Sequence, residues 1–141
     1  MNFKRLLRRF IALRGRRVAS PYAHSQPPPS VTADDVERIV RREFPDEQFA
    51  AITALLNEYG HERWHREPSR VRVAALKLSR GSMEKLRTHI EAAKRDYRDV
   101  LAGAEYPDYC KIGFRIRELP ADEQRRIVSR DSKQYEDWLR K

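Results

Sequence analysis

The clearest helical pattern of the chain lies at residues 82 to 107, which read SMEKLRTHIEAAKRDYRDVLAGAEYP. Apolar residues recur here largely at alternating steps of three and four, which places them on one side of an α-helix that packs along its neighbours. They are Met83, Leu86, Ile90, Ala93, Tyr97, Val100, Leu101 and Ala104. Ser82 is a favourable N-cap residue, and Pro107 should end the helix because proline lacks an amide hydrogen. The stretch therefore predicts the longest helix of the chain.

Two more helical patterns precede this segment. Thr32 predicts an N-cap, because its hydroxyl can accept an amide hydrogen bond while the acids at 34 and 35 meet the positive end of the helix dipole. A second helix is predicted from Pro45, a residue favoured at the first helical position, to Gly60. The apolar stripes are Val36, Ile39, Val40 and Phe44 in the first helix, and Phe49, Ile52, Leu56 and Tyr59 in the second.

A third helix and a last helix complete the helical patterns. The third is predicted at residues 69–79, with Gly81 as its stop signal. The last is predicted to begin after Pro120, where two acids follow within three residues, and to run to the C-terminus. Ser132 is a candidate for a break within it. The apolar positions of this last helix are Ile127, Val128, Tyr135, Trp138 and Leu139.

Residues 106–119 alternate instead of repeating at helical spacing. Ile112, Phe114 and Ile116 are separated by single glycine or arginine residues, as in a short strand, but one strand alone has no partner. We therefore predict an extended connector that lays apolar side chains on the helices. The patterns together predict an all-α fold, a compact bundle of four to six helices.

The amino-acid sequence of residues 70 to 108 resembles that of small uncharacterised bacterial proteins. The resemblance rests on VRVAALKL at residues 71–78, on AKRDYRDVL at residues 93–101 and on the EYP that follows at residues 105–107. It covers about a quarter of the chain. It implies that the helical body recurs elsewhere, and it carries neither a function nor catalytic residues.

Charge is distributed unevenly along the chain. Residues 1–33 carry seven cations and no acid, whereas the rest of the 141 residues hold 23 cations and 21 acids, so nearly all of the net charge of +9 lies at the N-terminus. All seven cations fall within residues 1–17, which we call the basic leader and predict to be an amphipathic helix tethered to the bundle. Residues 18–30 are rich in proline and predict a semi-rigid linker. Residues 31–141 are predicted to be the helical domain.

The basic leader is the predicted partner-binding element. Its cationic side carries Lys4, Arg5, Arg8 and Arg9, and its apolar side carries Phe3, Leu6 and Phe10. It could lie on an anionic membrane, bind nucleic-acid phosphates, serve as a cleavable organelle presequence in a eukaryote, or dock on its own domain or on another protein. Phosphate binding does not need large apolar residues, so the apolar side favours a membrane or a protein partner.

One short motif has a direct chemical meaning. Residues 61–65 read HERWH and resemble the zincin metallopeptidase signature H-E-x-x-H, which on a helix places two imidazoles on one face. The resemblance implies His61 and His65 as zinc ligands and Glu62 as the base that activates the metal-bound water. A catalytic zinc also needs a third protein ligand, and no second motif selects one from Glu84, Glu91 and Glu105.

The surroundings of this motif favour a different structure. Gly60 precedes it, Pro68 follows it, and the charged Arg63 occupies a position that is normally uncharged in zincins. The alternative interpretation is a solvated turn between helices that is anchored by Trp64. In that interpretation both histidines project into solvent and the chain holds no cofactor.

A mixed cluster of acids and aromatics follows the middle of the longest helix. Its members are Asp96, Tyr97, Asp99, Glu105, Tyr106, Asp108 and Tyr109. Such a cluster can bind a basic partner, but helix-end chemistry is the commoner origin, with Tyr97 in the core and the acids solvated. Cys110 has no histidine close in sequence and is predicted to be a small apolar group, not a nucleophile.

Composition indicates where and how the protein works. A single cysteine excludes an intramolecular disulfide, and the early apolar run at residues 10–13 is too short for a secretory signal or a membrane span. We expect a cytoplasmic protein, peripheral to a membrane if the basic leader binds lipid. We expect a non-enzymatic interaction or accessory protein. The alternatives are a nucleic-acid-associated protein and a minimal zinc hydrolase built on residues 61–65.

Overall fold

The computed structural model describes residues 27–141. These residues form helices α1 (Ala33–Glu43), α2 (Phe49–Leu56), α3 (Pro68–Ser79), α4 (Met83–Glu105), α5 (Pro107–Ile112) and α6 (Ala121–Arg140), with 3₁₀ segments at Asp46–Gln48 and Gly113–Glu118. The described chain contains no strand. An all-α fold with four to six helices is therefore confirmed for this part of the protein.

The basic leader lies outside the described residues, as does most of the predicted linker. Residues 27–30, where the linker ends, have no regular secondary structure. Between residues 27 and 141, no helix combines the length and the apolar character needed to cross a membrane.

Helix α1 begins at a reciprocal cap. The Asp35 amide donates to the Thr32 hydroxyl at 3.3 Å, and the Thr32 amide donates to the Asp35 carboxylate at 2.9 Å. This capping box satisfies two amides that the first turn of a helix leaves unpaired. The predicted cap at Thr32 is confirmed, and the buried side chains of α1, Ile39 and Val40, belong to the predicted stripe.

Helices α3 and α4 form a hairpin with the most extensive helix–helix contact in the described chain. Their buried apolar side chains are Val71, Val73, Ala74, Ala75 and Leu76 from α3, and Leu86, Ile90, Ala93, Val100, Leu101 and Ala104 from α4. The turn between them places Arg80 and Gly81 at φ 51° and 73°, and the Ser82 hydroxyl then accepts the Lys85 amide at 3.3 Å. A Cβ on Gly81 would lie 3.0 Å from the Glu43 carbonyl oxygen, so this turn needs glycine for both its conformation and its close approach to α1.

A buried ion pair joins the far ends of this hairpin. Arg70, near the start of α3, donates to both carboxylate oxygens of Glu105 at the end of α4, at 2.6 and 2.7 Å. The pairing with Glu105 raises the pKa of Arg70. Glu105 is 1% exposed, so its charge depends on this guanidinium for compensation. The expectation that the acids of this cluster are all solvated is wrong for Glu105, because α4 turns it inward against α3.

Helix α6 packs back onto the hairpin and onto α1. Its C-terminal carbonyls receive guanidinium hydrogen bonds, from Arg38 to Leu139 at 2.8 Å and from Arg42 to Trp138 at 2.9 Å. Cations favour this end of a helix because the carbonyls there lack helical partners. The helix runs without interruption from 121 to 140, so a break at Ser132 does not occur.

The prediction of an extended connector over 106–119 is wrong. The segment consists of α5 and a 3₁₀ turn, because Asp131 on α6 accepts the amides of Asp108 and Tyr109 at 2.9 and 3.0 Å. This cap comes from more than twenty residues away, and burial of its carboxylate raises the pKa of Asp131. Local alternation could not reveal it.

The second predicted helix is also shorter than expected. It starts with a 3₁₀ turn at Asp46–Gln48 and ends at Leu56, four residues before Gly60. The chain leaves the helix because the amide of Tyr59 bonds to the Leu56 carbonyl at 3.2 Å, which tightens the last turn. Tyr59 nevertheless stays fully buried, as its stripe predicts.

The buried ion pair predicts an asymmetric response to mutation. Arg70→Met leaves the Glu105 carboxylate buried without a cation and should lower the free energy of unfolding by about 3 kcal/mol. Glu105→Gln should cost less, because Arg70 is 25% exposed in its side chain and can be hydrated. Urea unfolding measures both, with Arg95→Met as an exposed control. Equal losses in the two variants would contradict this account.

Candidate functional site

Helix α4 is broken in its middle, at Asp96. This residue has φ −158° and ψ 99°, in the extended region, although neither proline nor glycine is nearby. Its carboxylate accepts the Arg98 amide at 3.2 Å and two guanidinium bonds from Arg98 at 2.8 Å. Asp96 thus acts as an N-cap for the second half of α4, which explains the break. The Arg98 hydrogen bonds lower the pKa of Asp96.

Residues 57–67, which we call the connecting turn, lead from α2 to α3. The buried Tyr59 hydroxyl donates to the Arg66 carbonyl at 2.9 Å and accepts the Arg66 amide at 3.0 Å. The His65 ring stacks on Tyr59 with centroids 4.3 Å apart, and its Nδ1 accepts the Gly60 amide at 2.9 Å. Tyr59 and His65 therefore hold the connecting turn in shape.

Trp64 has the opposite role from the one predicted for it. It is 61% exposed, and it is the only large apolar side chain exposed to that degree in residues 27–141. The prediction that Trp64 anchors the turn is wrong, because Tyr59 and His65 already occupy the interior side. The indole only meets the His65 ring edge-on, at 5.8 Å between centroids.

The broken helix and the connecting turn border one groove of about 320 Å³, which we call the kink groove. It is lined by Trp64, Arg66, Ala93, Arg95, Asp96, Tyr97 and Arg98. The Arg98 charge is compensated by Asp96, whereas Arg66 and Arg95 are exposed and form no ion pair with any described residue. The groove therefore combines an exposed indole with two uncompensated guanidinium groups.

The H-E-x-x-H residues all lie in the connecting turn. Since α2 ends at Leu56, His61 and His65 are not presented on one helical face. The Nδ1 of His65 is occupied by backbone amides, and the Nε2 of His61 lies 2.5 Å from the Asn57 carbonyl oxygen. Within residues 27–141 no group of three or more histidine, cysteine or acidic side chains is arranged to hold a metal ion. Glu62 is exposed.

Cys110 and a second groove are the other features with chemical groups of interest. Burial raises the pKa of the Cys110 thiol to about 11, so it is protonated at neutral pH and is a poor nucleophile. A second groove, of about 560 Å³, lies between the end of α1, the α3–α4 turn and α6, and includes Lys77, Arg80 and Trp138. Desolvation lowers the pKa of Lys77 there. Its acids, Glu43 and Asp137, pair with Arg42 and Lys133.

The structure does not test the binding residues predicted from sequence. Phe3, Lys4, Arg5, Leu6, Arg8, Arg9 and Phe10 are outside the described residues. Sequence reasoning missed Arg66 and Arg95, which are brought together across 29 positions by the folding of α4 against the connecting turn. The one local signal for the groove was Asp96, because an aspartate within a helical pattern can accept a backbone amide two residues later and so start a new helical segment.

The chain was compared with protein-family models, with curated protein sequences and with solved structures, and none of the three comparisons found a match. The assignment of function therefore rests on the residues themselves.

The contacts within the connecting turn predict different contributions to stability from its two histidines. His65→Ala should lower the free energy of unfolding by about 1 kcal/mol, because it removes the stack on Tyr59 and the acceptor of the Gly60 amide. His61→Ala should leave stability nearly unchanged. The purified protein should contain less than stoichiometric zinc by elemental analysis. About one zinc per chain, lost in both variants, would instead support the zinc hydrolase.

The break in α4 predicts a distinction between two substitutions of Asp96. Asp96→Ala should lower the free energy of unfolding by about 1 kcal/mol, because the Arg98 amide loses its cap, whereas Asp96→Asn should keep the cap and lose only the ion pair. Because the Asp96 pKa is lowered in the folded state, the ion pair stabilises the protein above the unfolded pKa of about 3.9. The difference between wild type and Asp96→Asn should shrink as pH falls through the folded pKa. A pH-independent difference would contradict this.

Proposed function

We propose that this chain is a non-enzymatic interaction protein that binds an acidic partner surface through two cationic elements, the basic leader and the kink groove. The observation that carries the proposal is the exposed Trp64 beside the uncompensated Arg66 and Arg95. Trp, Tyr and Arg are the residue types that contribute most to protein–protein binding energy, and all three line this groove.

The basic leader also favours a negatively charged partner. It places seven cations and no acid before a body that is almost neutral, which concentrates attraction for anions at one end of the chain. Its apolar side, with Phe3, Leu6 and Phe10, adds a hydrophobic contribution that a protein groove or an anionic membrane can use. The leader is proposed to dock on one of these two surfaces.

A nucleic-acid-associated protein is the second candidate. An exposed indole can stack on a base while arginines bind phosphates, so the kink groove is compatible with a single strand. The apolar side of the leader has no role in phosphate binding and favours the first candidate.

The two sides of the leader make separable predictions. If it docks on a membrane, changing Phe3, Leu6 and Phe10 to serine should weaken binding to anionic vesicles, because buried apolar area contributes alongside charge. Binding to duplex DNA should be nearly insensitive to this change. It should fall sharply when Arg5, Arg8 and Arg9 become glutamine, and it should depend steeply on salt.

Co-sedimentation with vesicles and fluorescence anisotropy with duplex, each at low and high salt, distinguish these cases. Duplex binding with a steep salt dependence and no vesicle binding would favour the nucleic-acid candidate. Failure of the wild-type chain to bind vesicles or duplex would leave an acidic protein as the partner to be captured.

A further inference from the structure

We propose, building on the interaction function above, that the kink groove binds an acidic, extended segment of a partner protein, with Trp64 packed against an apolar side chain and Arg66 and Arg95 paired with carboxylates. This would be a second binding site, separate from the basic leader.

Both walls of the kink groove are held in place before a partner arrives. On one side, two hydrogen bonds tie the Tyr59 hydroxyl to the backbone of Arg66. On the other side, the bonds from Arg98 to Asp96 stabilise the break in α4. A groove formed by such fixed elements loses little conformational entropy on binding, so more of the contact energy appears as affinity.

The charges of the groove select the occupant. Arg66 and Arg95 have no described acidic partner, whereas Arg98 is neutralised within the groove. The basic leader of the same chain is disfavoured as occupant, because its seven cations would meet these arginines. An acidic segment offers the opposite charge and can pair with each guanidinium through two parallel hydrogen bonds.

The surroundings favour a peptide over the other anionic partners. Trp64 is the only exposed large apolar side chain in residues 27–141, which is too little apolar area for insertion into a membrane. Asp96 is paired with Arg98, so Arg66 and Arg95 are the groove arginines left for a ligand, whereas single-stranded nucleic acid is bound by a positively charged groove that follows the whole backbone. A peptide can place one carboxylate at each of these two arginines.

Trp64 provides a readout at the site itself. The chain has two tryptophans, so Trp138→Phe leaves Trp64 as the only indole in the full-length protein. The probes are a synthetic peptide of alternating glutamate and leucine, the same peptide with glutamine for glutamate, and single-stranded oligothymidine. We expect the glutamate peptide to shift the emission to the blue and to protect Trp64 from acrylamide quenching, because the indole becomes covered. The glutamine peptide should have little effect.

Paired substitutions then locate the site. Arg66→Glu with Arg95→Glu should weaken peptide binding at least about tenfold, as expected for two lost hot-spot contacts. Arg115→Glu with Arg125→Glu, which changes the net charge equally at other exposed positions, should have much less effect. Circular dichroism confirms that each variant is folded. Fluorescence anisotropy of a labelled peptide, measured with the chain that retains Trp138, tests whether the Trp138→Phe change itself alters peptide binding.

Leader variants separate this site from the proposed function as a whole. Arg5, Arg8 and Arg9 changed to glutamine should leave the Trp64 response intact. Peptide binding that depends on the leader and ignores the groove arginines would overturn this inference while the interaction function stands. Preferential binding of oligothymidine, or a dimer that dissociates in the groove variant, would also overturn it. If the wild-type chain bound none of the glutamate peptide, the anionic vesicles and the duplex, the proposed function would be contradicted as well.

Discussion

The hydrogen-bonded ion pair of Arg70 and Glu105 is a buried polar contact at the centre of the helical packing. It joins the open end of the α3–α4 hairpin, whose other end is closed by the tight turn at Arg80 and Gly81. With both ends held, the two helices stay in register along their buried sides, and α1, α2 and α6 pack on the surface that results. The Gln134 side-chain amide of α6 donates to the backbone carbonyl oxygen of Glu105 at 3.4 Å, so the last helix also contacts the residue that forms this pair.

Two kinds of charged group in residues 27–141 differ in their availability to a ligand. Glu105 and Asp131 are buried, and each has partners from a distant part of the chain that satisfy its carboxylate. Such groups stabilise a particular packing arrangement and are not available to a ligand. Arg66 and Arg95 are exposed and carry uncompensated charge beside an exposed indole. This contrast is the physical basis for assigning the kink groove, and not the buried acids, to partner binding.

The kink groove exists because two regular elements are interrupted at neighbouring places. Helix α2 ends at Leu56, so Trp64 lies in the connecting turn. Helix α4 breaks at Asp96, and the arginines on either side of the break, Arg95 and Arg98, line the same groove as Trp64. The basic leader is also positively charged, so both proposed binding elements, the leader and the kink groove, favour an acidic partner.

The helical class, the caps at Thr32 and Ser82 and most of the buried apolar positions could be predicted from the sequence, because these depend on spacing within one turn or one helix. The uneven distribution of charge is also a property of the sequence. The helical state of residues 107–118 could not be predicted in this way, since their cap is Asp131 on another helix. Tertiary contacts likewise place Trp64 at the surface and bring Arg66 and Arg95 to one groove. Such outcomes depend on which distant groups meet, and local spacing carries no information about that.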